Sequence, residues 1–177
     1  MSQVVLYIAT SLDGYIAGED DDISWLKPFE GVDYGYDAFI DSIGAVILGR
    51  RTYDLTTGAG WGWPYPVPGY VLTSRPPADR PEGADIAFTD RPLPELVAEA
   101  RQRIADDKDI WVVGGAGVVR DFLAAGLIDQ VRVFVIPVML GNGIRLFQPV
   151  NRPTTVSLEQ VSQLPEGMVE LAYTVEH

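Results

Sequence analysis

A glycine-rich segment in the second half of the chain has the residue types and the spacing to hold an anionic ligand. The apolar run 110–113 predicts a buried strand, and Gly114-Gly115-Ala116-Gly117 follows it directly. Beyond the glycines, apolar residues recur at helical spacing, which predicts a helix that Gly126 ends. Glycines allow close approach of the backbone to a ligand, and the first turn of a helix offers unpaired N–H groups to an anion. The segment is therefore a candidate phosphate cradle, although a strand-to-helix turn without a ligand fits the same pattern.

Two further segments place arginines or hydroxyl groups at the end of a predicted strand. Gly49-Arg50-Arg51-Thr52 follows the apolar run 45–48, and Leu72-Thr73-Ser74-Arg75 completes another strand and turn. A guanidinium beside a helix start suits phosphate recognition, although arginines are also common as solvated surface residues. Ligands of open α/β sheets bind at the carboxyl ends of the strands. Three such strand ends in one chain favour a nucleotide site.

The composition limits the chemistry that such a site can perform. The 177 residues include no cysteine and a single histidine, His177, which argues against disulfides, metal sites and a Ser-His-Asp triad. The formal net charge of −12 argues against nucleic-acid and anionic-membrane partners. We find no apolar run that could span a membrane and no signal peptide, which predicts a cytoplasmic protein. Any chemistry must come from carboxylates, hydroxyls, arginines or a bound cofactor.

The elements that would position these segments alternate between strand and helix in the first part of the chain. Apolar runs predict about eight strands, among them 4–9, 45–48, 70–72, 86–88, 110–113 and 130–138. The runs 156–163 and 168–175 flank Pro165-Glu166-Gly167, which predicts a terminal antiparallel hairpin. With three or four helices, this order predicts one α/β domain over residues 1–177, with a largely parallel sheet.

A helix is predicted from Asp33, and its acidic residues are candidates for proton transfer. Tyr36, Phe39, Ile40 and Ile43 form one apolar stripe at helical spacing. Asp33 lies at the margin of this stripe, so it either points into a pocket or caps the helix. The acidic loop 19–22 that precedes this region is interpreted as a solvated surface turn. The loop 56–68 contains Trp61 and Trp63, which pack on the sheet, line a ligand site or form an interface.

Taken together, five segments in register resemble the dihydrofolate reductase superfamily. The likeness is greatest to the branch that contains the reductase domain of the riboflavin-biosynthesis deaminase-reductase and its stand-alone relatives. The segments are Ser11-Leu12-Asp13-Gly14-Tyr15-Ile16-Ala17, Gly49-Arg50-Arg51-Thr52-Tyr53, Leu72-Thr73-Ser74-Arg75, Val113-Gly114-Gly115-Ala116-Gly117 and Ile136-Pro137-Val138-Met139-Leu140-Gly141. The resemblance implies a single-domain, three-layer dihydrofolate reductase-like fold with a mostly parallel sheet and an antiparallel C-terminal hairpin.

The resemblance also implies NADPH as the hydride donor and assigns residues to it. Ala9 and Ile16 would border the nicotinamide, Arg50 would help to hold phosphates, and Arg75 would lie near the adenosine 2′-phosphate. The implied cofactor-binding set comprises Ala9, Ile16, Gly49, Arg50, Arg51, Thr52, Leu72, Thr73, Ser74, Arg75, Val113, Gly114, Gly115, Ala116, Gly117 and Val118. No metal is implied.

By the same resemblance, the expected activity is reduction of a pterin-, pyrimidine- or related heterocyclic substrate, similar to that of the 5-amino-6-(5-phosphoribosylamino)uracil reductase domain. Dihydrofolate reductases place a carboxylate early in the first helix to bind and help protonate the pterin. Asp33 is nearest to that position and is the implied catalytic residue, and Trp25, Asp33 and Asp37 are the implied substrate-binding residues. Stand-alone relatives are commonly homodimers. The alternative is a nucleotide-binding protein of the same fold without turnover, such as a sensor or a structural dimer.

Overall fold

The computed structural model describes residues 2–58 and 62–177. Within these ranges the strands are β1 (Val4–Ser11), β2 (Tyr15–Ala17), β3 (Ile43–Gly49), β4 (Gly69–Leu72), β5 (Ile86–Thr89), β6 (Asp109–Gly114), β7 (Gln130–Ile136), β8 (Ile144–Arg145), β9 (Val156–Gln163) and β10 (Val169–Val175). The α-helices are α1 (Tyr36–Ser42), α2 (Arg50–Thr56), α3 (Leu93–Arg103) and α4 (Ala116–Ala125). Short 3₁₀ helices occupy Glu19–Asp21, Ser24–Phe29 and Pro165–Gly167.

Eight of these strands form one sheet in the order β5-β4-β3-β6-β1-β7-β10-β9. The six strands from β5 to β7 are mutually parallel, whereas β10 is antiparallel to both β7 and β9. The predicted fold class and terminal hairpin are therefore confirmed. The two strands beyond the expected eight are short β2 and β8, which pair with each other in a separate small sheet.

Apolar clusters on both faces of the sheet make the protein three-layered. In β1, Val4 and Leu6 join one cluster with residues of α3 and α4. Val5 and Tyr7 join the other cluster, which includes residues of α1 and α2. Successive side chains of a strand point to opposite faces, so a central strand covered on both sides must be apolar throughout. This requirement explains the unbroken apolar runs in the sequence.

Helix α1 begins three residues later than the sequence predicts. The Oδ1 atom of Asp33 accepts a hydrogen bond of 3.0 Å from the Gly35 N–H, and Gly35 has a φ of 79°. This left-handed turn delays the helix until Tyr36, and Ile43 already belongs to β3. The prediction of a helix from Asp33 is therefore wrong, and Asp33 does not cap α1.

The tryptophan-rich loop contributes to the core where it is described. Trp61 lies outside the described residues. Trp63 packs directly on the backbone of β4, since a Cβ atom at Gly69 would lie 2.1 Å from its ring. Among the described residues, no helix is long and apolar enough to cross a membrane.

Candidate functional site

A cleft of about 600 Å³ lies where three neighbouring parallel strands end. The strands are β3, β6 and β1, adjacent in that order, so the segments after their carboxyl ends meet at one edge of the sheet. The starts of α2 and α4 form part of the wall, and the loop after β2 contributes Asp21, Ile23 and Leu26. The cleft is thus built from segments that are far apart in sequence.

The cleft brings together eleven of the residues proposed for cofactor binding. These are Ala9, Ile16, Gly49, Arg50, Arg51, Thr52, Val113, Gly115, Ala116, Gly117 and Val118. Eight other predicted site residues are not among its lining residues: Trp25, Asp33, Asp37, Leu72, Thr73, Ser74, Arg75 and Gly114. Gly114 belongs to the same turn as its lining neighbours, whereas the others lie on neighbouring segments.

The glycine turn before α4 packs closely against the start of α2. A Cβ atom at Gly49 would lie 3.0 Å from Cγ2 of Val118, and one at Gly115 would lie 3.3 Å from Oγ1 of Thr52. Gly114, with a φ of 124°, adopts a backbone conformation that other residues rarely take. At Gly117, by contrast, a Cβ atom would meet no atom of the described residues within 4 Å beyond its own turn of the helix. The backbone of the first turn of α4 is therefore open to a ligand.

Three arginines line the cleft in a chain of net charge −12. Each is paired with a carboxylate: Arg50 with Asp54 at 2.8 Å, Arg51 with Asp21 at 2.5 Å, and Arg120 with Asp121 at 2.7 Å. The first turn of α4 adds N–H groups that have no acceptor within the helix. Guanidinium groups beside a helix N-terminus are suited to binding phosphate oxygens.

The remainder of the cleft wall is mostly apolar. It includes side chains from three strands, from the loop after β2 and from α2, namely Ile8, Ala9, Ile16, Ala17, Ile23, Leu26, Leu55, Val113 and Ile144. Such a wall displaces water and suits an uncharged planar ring. Of the lining residues that the structure describes, Asp21 alone carries a carboxylate.

The segment 72–75 lies beside the cleft because its strand, β4, is next to β3 in the sheet. Its link to the cleft is Arg50, whose Nη1 donates a hydrogen bond to the Arg75 carbonyl oxygen. The Arg75 N–H in turn donates to Oγ1 of Thr73 at 3.0 Å. The segment therefore extends the arginine side of the cleft by one strand, and its role at a 2′-phosphate stays a prediction.

The residues proposed for substrate binding are close in sequence to an aromatic cluster next to the cleft. Ala9 pairs with Phe134 of β7, and the ring of Tyr34 lies 5.5 Å from that of Phe134. Tyr7 is buried below these rings; burial raises the pKa of its hydroxyl, which has no hydrogen-bond partner among the described residues. Asp33 is exposed, on the segment just before Tyr34. Its role and those of Trp25 and Asp37 stay predictions.

Several residues that line the cleft are not among those predicted from the sequence. Arg120 follows Ala116 by four residues on α4, so helical spacing alone places it on the same face. Asp21 gave no such signal, because its partner Arg51 is thirty residues away. The interpretation of 19–22 as a solvated turn is wrong at Asp21, whose side chain is only 17% exposed.

The fold and the cleft define an α/β protein with a candidate ligand site at the carboxyl edge of its sheet. The chain belongs to the RibD C-terminal domain family, whose model matches residues 67–170. The Bacillus subtilis protein YwjB is 38% identical over 173 residues, which are 97% of each chain. A structure named for riboflavin biosynthesis, from Shewanella sp. PV-4, is similar with a TM-score of 0.87 and 25% identity, covering 100% of both chains.

The chain also shares its fold with a dihydrofolate reductase. Dihydrofolate reductase from Enterococcus faecalis, solved in complex with NADP(H), is similar with a TM-score of 0.60 and 18% identity. The match covers 99% of this chain and 97% of the reductase. At that identity the likeness shows a common fold, and a fold alone does not determine function.

Proposed function

We propose that the protein is an NADPH-dependent reductase of a pterin-, pyrimidine- or related heterocyclic compound, similar to the uracil-derivative reductase of riboflavin biosynthesis. One observation carries the proposal: a single cleft combines an open glycine turn, three arginines and an apolar wall. A nicotinamide dinucleotide has anionic phosphates and a planar ring, and the cleft has a region suited to each. Membership of the RibD C-terminal domain family supports the assignment.

The residues of the chain would hold and shield the cofactor. Arg50, Arg51 and the first turn of α4 would bind its phosphates, and the open face at Gly117 would leave room for them. Ala9 and Ile16 would contact the nicotinamide and exclude water from it. When bound, NADPH supplies the hydride, and the protein supplies orientation and a dry environment.

The source of the proton is a separate proposal. Asp33 carries this role through the resemblance, with an ordered water as the other route. Its exposed position before α1 means that solvent reaches the carboxylate directly. Unchanged turnover in the Asp33→Asn variant would show that Asp33 is not the proton donor.

A second candidate function is nucleotide binding without turnover. It is favoured by one observation: the carboxylates proposed to contact substrate, Asp33 and Asp37, do not line the cleft. The two functions are separated by measuring NADPH binding by calorimetry and NADPH oxidation with a panel of pterins and pyrimidines. Binding with oxidation supports the reductase, binding without oxidation supports the second candidate, and no binding at millimolar NADPH contradicts the reductase.

We also propose a homodimer formed through β9 and β10. Val156, Leu158 and Val161 of β9 are between 41% and 57% exposed, and their strand partners are Val175, Tyr173 and Leu171. Paired residues share a face, so this end of the sheet presents an apolar surface, while Ser157, Gln160 and Ser162 occupy the other face. The apolar surface contains no charged residue, so two chains of charge −12 would meet there without opposing carboxylates. A second copy is the partner that this surface fits.

A further inference from the structure

The ion pair between Asp21 and Arg51 lies inside the proposed cofactor cleft. Nε of Arg51 lies 2.5 Å from Oδ2 of Asp21, so a residue of α2 is joined to the loop after β2 at the wall of the cleft. The two partners differ in exposure: the Arg51 side chain is 68% exposed, and that of Asp21 is 17% exposed. The carboxylate is thus the enclosed partner, and the guanidinium lies at the mouth of the cleft.

This pair differs from the other two arginine pairs of the cleft. Arg50 and Arg120 are paired with Asp54 and Asp121, neighbours on their own helices that are not among the lining residues. Those carboxylates leave the interior of the cleft free. Asp21, by contrast, is itself a lining residue, so its negative charge lies at the wall of the space that an anionic ligand would occupy.

A carboxylate on a guanidinium occupies the same donors that a phosphate would use. Both anions accept charge-assisted hydrogen bonds from the guanidinium N–H groups. Asp21 accepts from Nε of Arg51, so a phosphate at Arg51 either displaces the carboxylate or binds the remaining guanidinium N–H groups beside it, against like-charge repulsion. We propose that Asp21 is an internal competitor for the phosphate site, and that it sets the affinity of the cleft for its dinucleotide.

The displacement would also act on the apolar wall. The loop that carries Asp21 continues into Ile23 and Leu26, which line the same cleft. A hydrogen bond of 2.6 Å from Asn142 to Glu19 fixes its first part, and one of 2.8 Å joins the Gly18 N–H to the Asp22 carbonyl oxygen. Release of Asp21 therefore breaks the ion pair between the loop and α2. Among the described residues, this is the one ion pair that joins them. Phosphate binding and the packing of the apolar wall are coupled through Asp21.

This inference rests on the proposed function, because it concerns the cofactor affinity of the same cleft. The test variant is Asp21→Asn, which removes the charge and keeps a residue type that tolerates the φ of 63° at this position. The matched control is Asp22→Asn. It makes the same charge change one residue away, but its carboxylate accepts hydrogen bonds from Ser24 and does not line the cleft. Asp21→Gly, which also accepts positive φ, is the second variant if the first does not fold.

The experiment measures dissociation constants for NADPH and for inorganic pyrophosphate by calorimetry at low and moderate salt. We expect Asp21→Asn to bind both ligands about threefold to tenfold more tightly than the wild type, and Asp22→Asn to stay within about twofold. The affinity of Asp21→Asn for both ligands should also fall more steeply with salt concentration than that of the wild type. In the variant, ligand binding forms an ion pair with Arg51 without breaking one.

Each possible outcome decides the inference. Equal or weaker binding by Asp21→Asn than by the wild type, or equal tightening in both variants, would overturn it, as would failure of every protein to bind pyrophosphate. Pyrophosphate binding that is tightened only by Asp21→Asn, together with no binding of NADPH by any protein, would support the competitor role and refute the proposed cofactor. Failure of the inference and failure of the proposed function are thus distinguishable.

Discussion

The open face of Gly117 gives the sharpest prediction, because one methyl group should separate ligand binding from stability. Gly117 is the second residue of α4, and a Cβ atom there would meet no described atom within 4 Å. Replacing glycine with alanine in a helix stabilises it by up to about 1 kcal/mol, which for a domain of this size raises Tm by up to about 3 °C. Gly117→Ala should therefore be as stable as the wild type or slightly more stable.

The same methyl group would occupy space that we assign to the cofactor phosphates. It should lengthen or break a charge-assisted hydrogen bond, which is worth roughly 1.5–3 kcal/mol, so NADPH should bind roughly tenfold to a hundredfold more weakly. Calorimetry gives the affinity and differential scanning fluorimetry gives Tm. The control is Gly58→Ala, where the new Cβ is also free of described neighbours but lies outside the cleft. Unchanged NADPH affinity in Gly117→Ala, or an equal loss in the control, would refute the placement of the phosphates.

Three further predictions concern other parts of the structure. Arg75→Ala should weaken the binding of NADPH roughly tenfold or more and the binding of NADH much less, as measured by the two dissociation constants. An equal loss of affinity for both cofactors would mean that the arginine contacts groups common to both. Hydrogen bonds from the Ser11 hydroxyl and the Gly141 and Leu140 amides lower the pKa of Asp13 to about 2, so its ionised form stabilises the fold at neutral pH. Asp13→Asn should lower Tm at pH 7, and the difference should shrink as pH falls from about 5 towards 2; a difference that does not depend on pH would contradict this account. Leu158→Lys should convert a dimer to a monomer in sedimentation experiments while Ser157→Lys, on the opposite face, leaves it intact; a wild type that is already monomeric would refute the proposed interface.

Local patterns predicted the parts of the fold in which neighbours in sequence determine the structure. Unbroken apolar runs predicted the central strands, because both faces of the sheet are covered. Gly126, with a φ of 65°, ends α4 as expected. The start of α1 was mispredicted because the apolar stripe gives the period of a helix but not its first residue. That residue is set by the turn at Gly35, which the stripe does not include.

The candidate site was predictable to the extent that it follows strand ends. The glycine turn and the arginines of α2 lie in the cleft because β3, β6 and β1 are neighbours. The segment 72–75 shows a similar pattern but follows β4, one strand further from the centre, and strand order cannot be read from local composition. The contact between Asp21 and Arg51 was also beyond local patterns, because it depends on how a loop folds over a distant helix.

The location of the cofactor is the central claim, and hydrogen–deuterium exchange with and without NADPH tests it most directly. If the account is right, saturating NADPH will slow exchange in three segments that line the cleft: 16–26, 49–56 and 113–120. The segment 123–128, at the other end of α4, provides the internal comparison and should be little affected. Absence of any protection at millimolar NADPH, or protection confined to segments outside the cleft, would contradict the account.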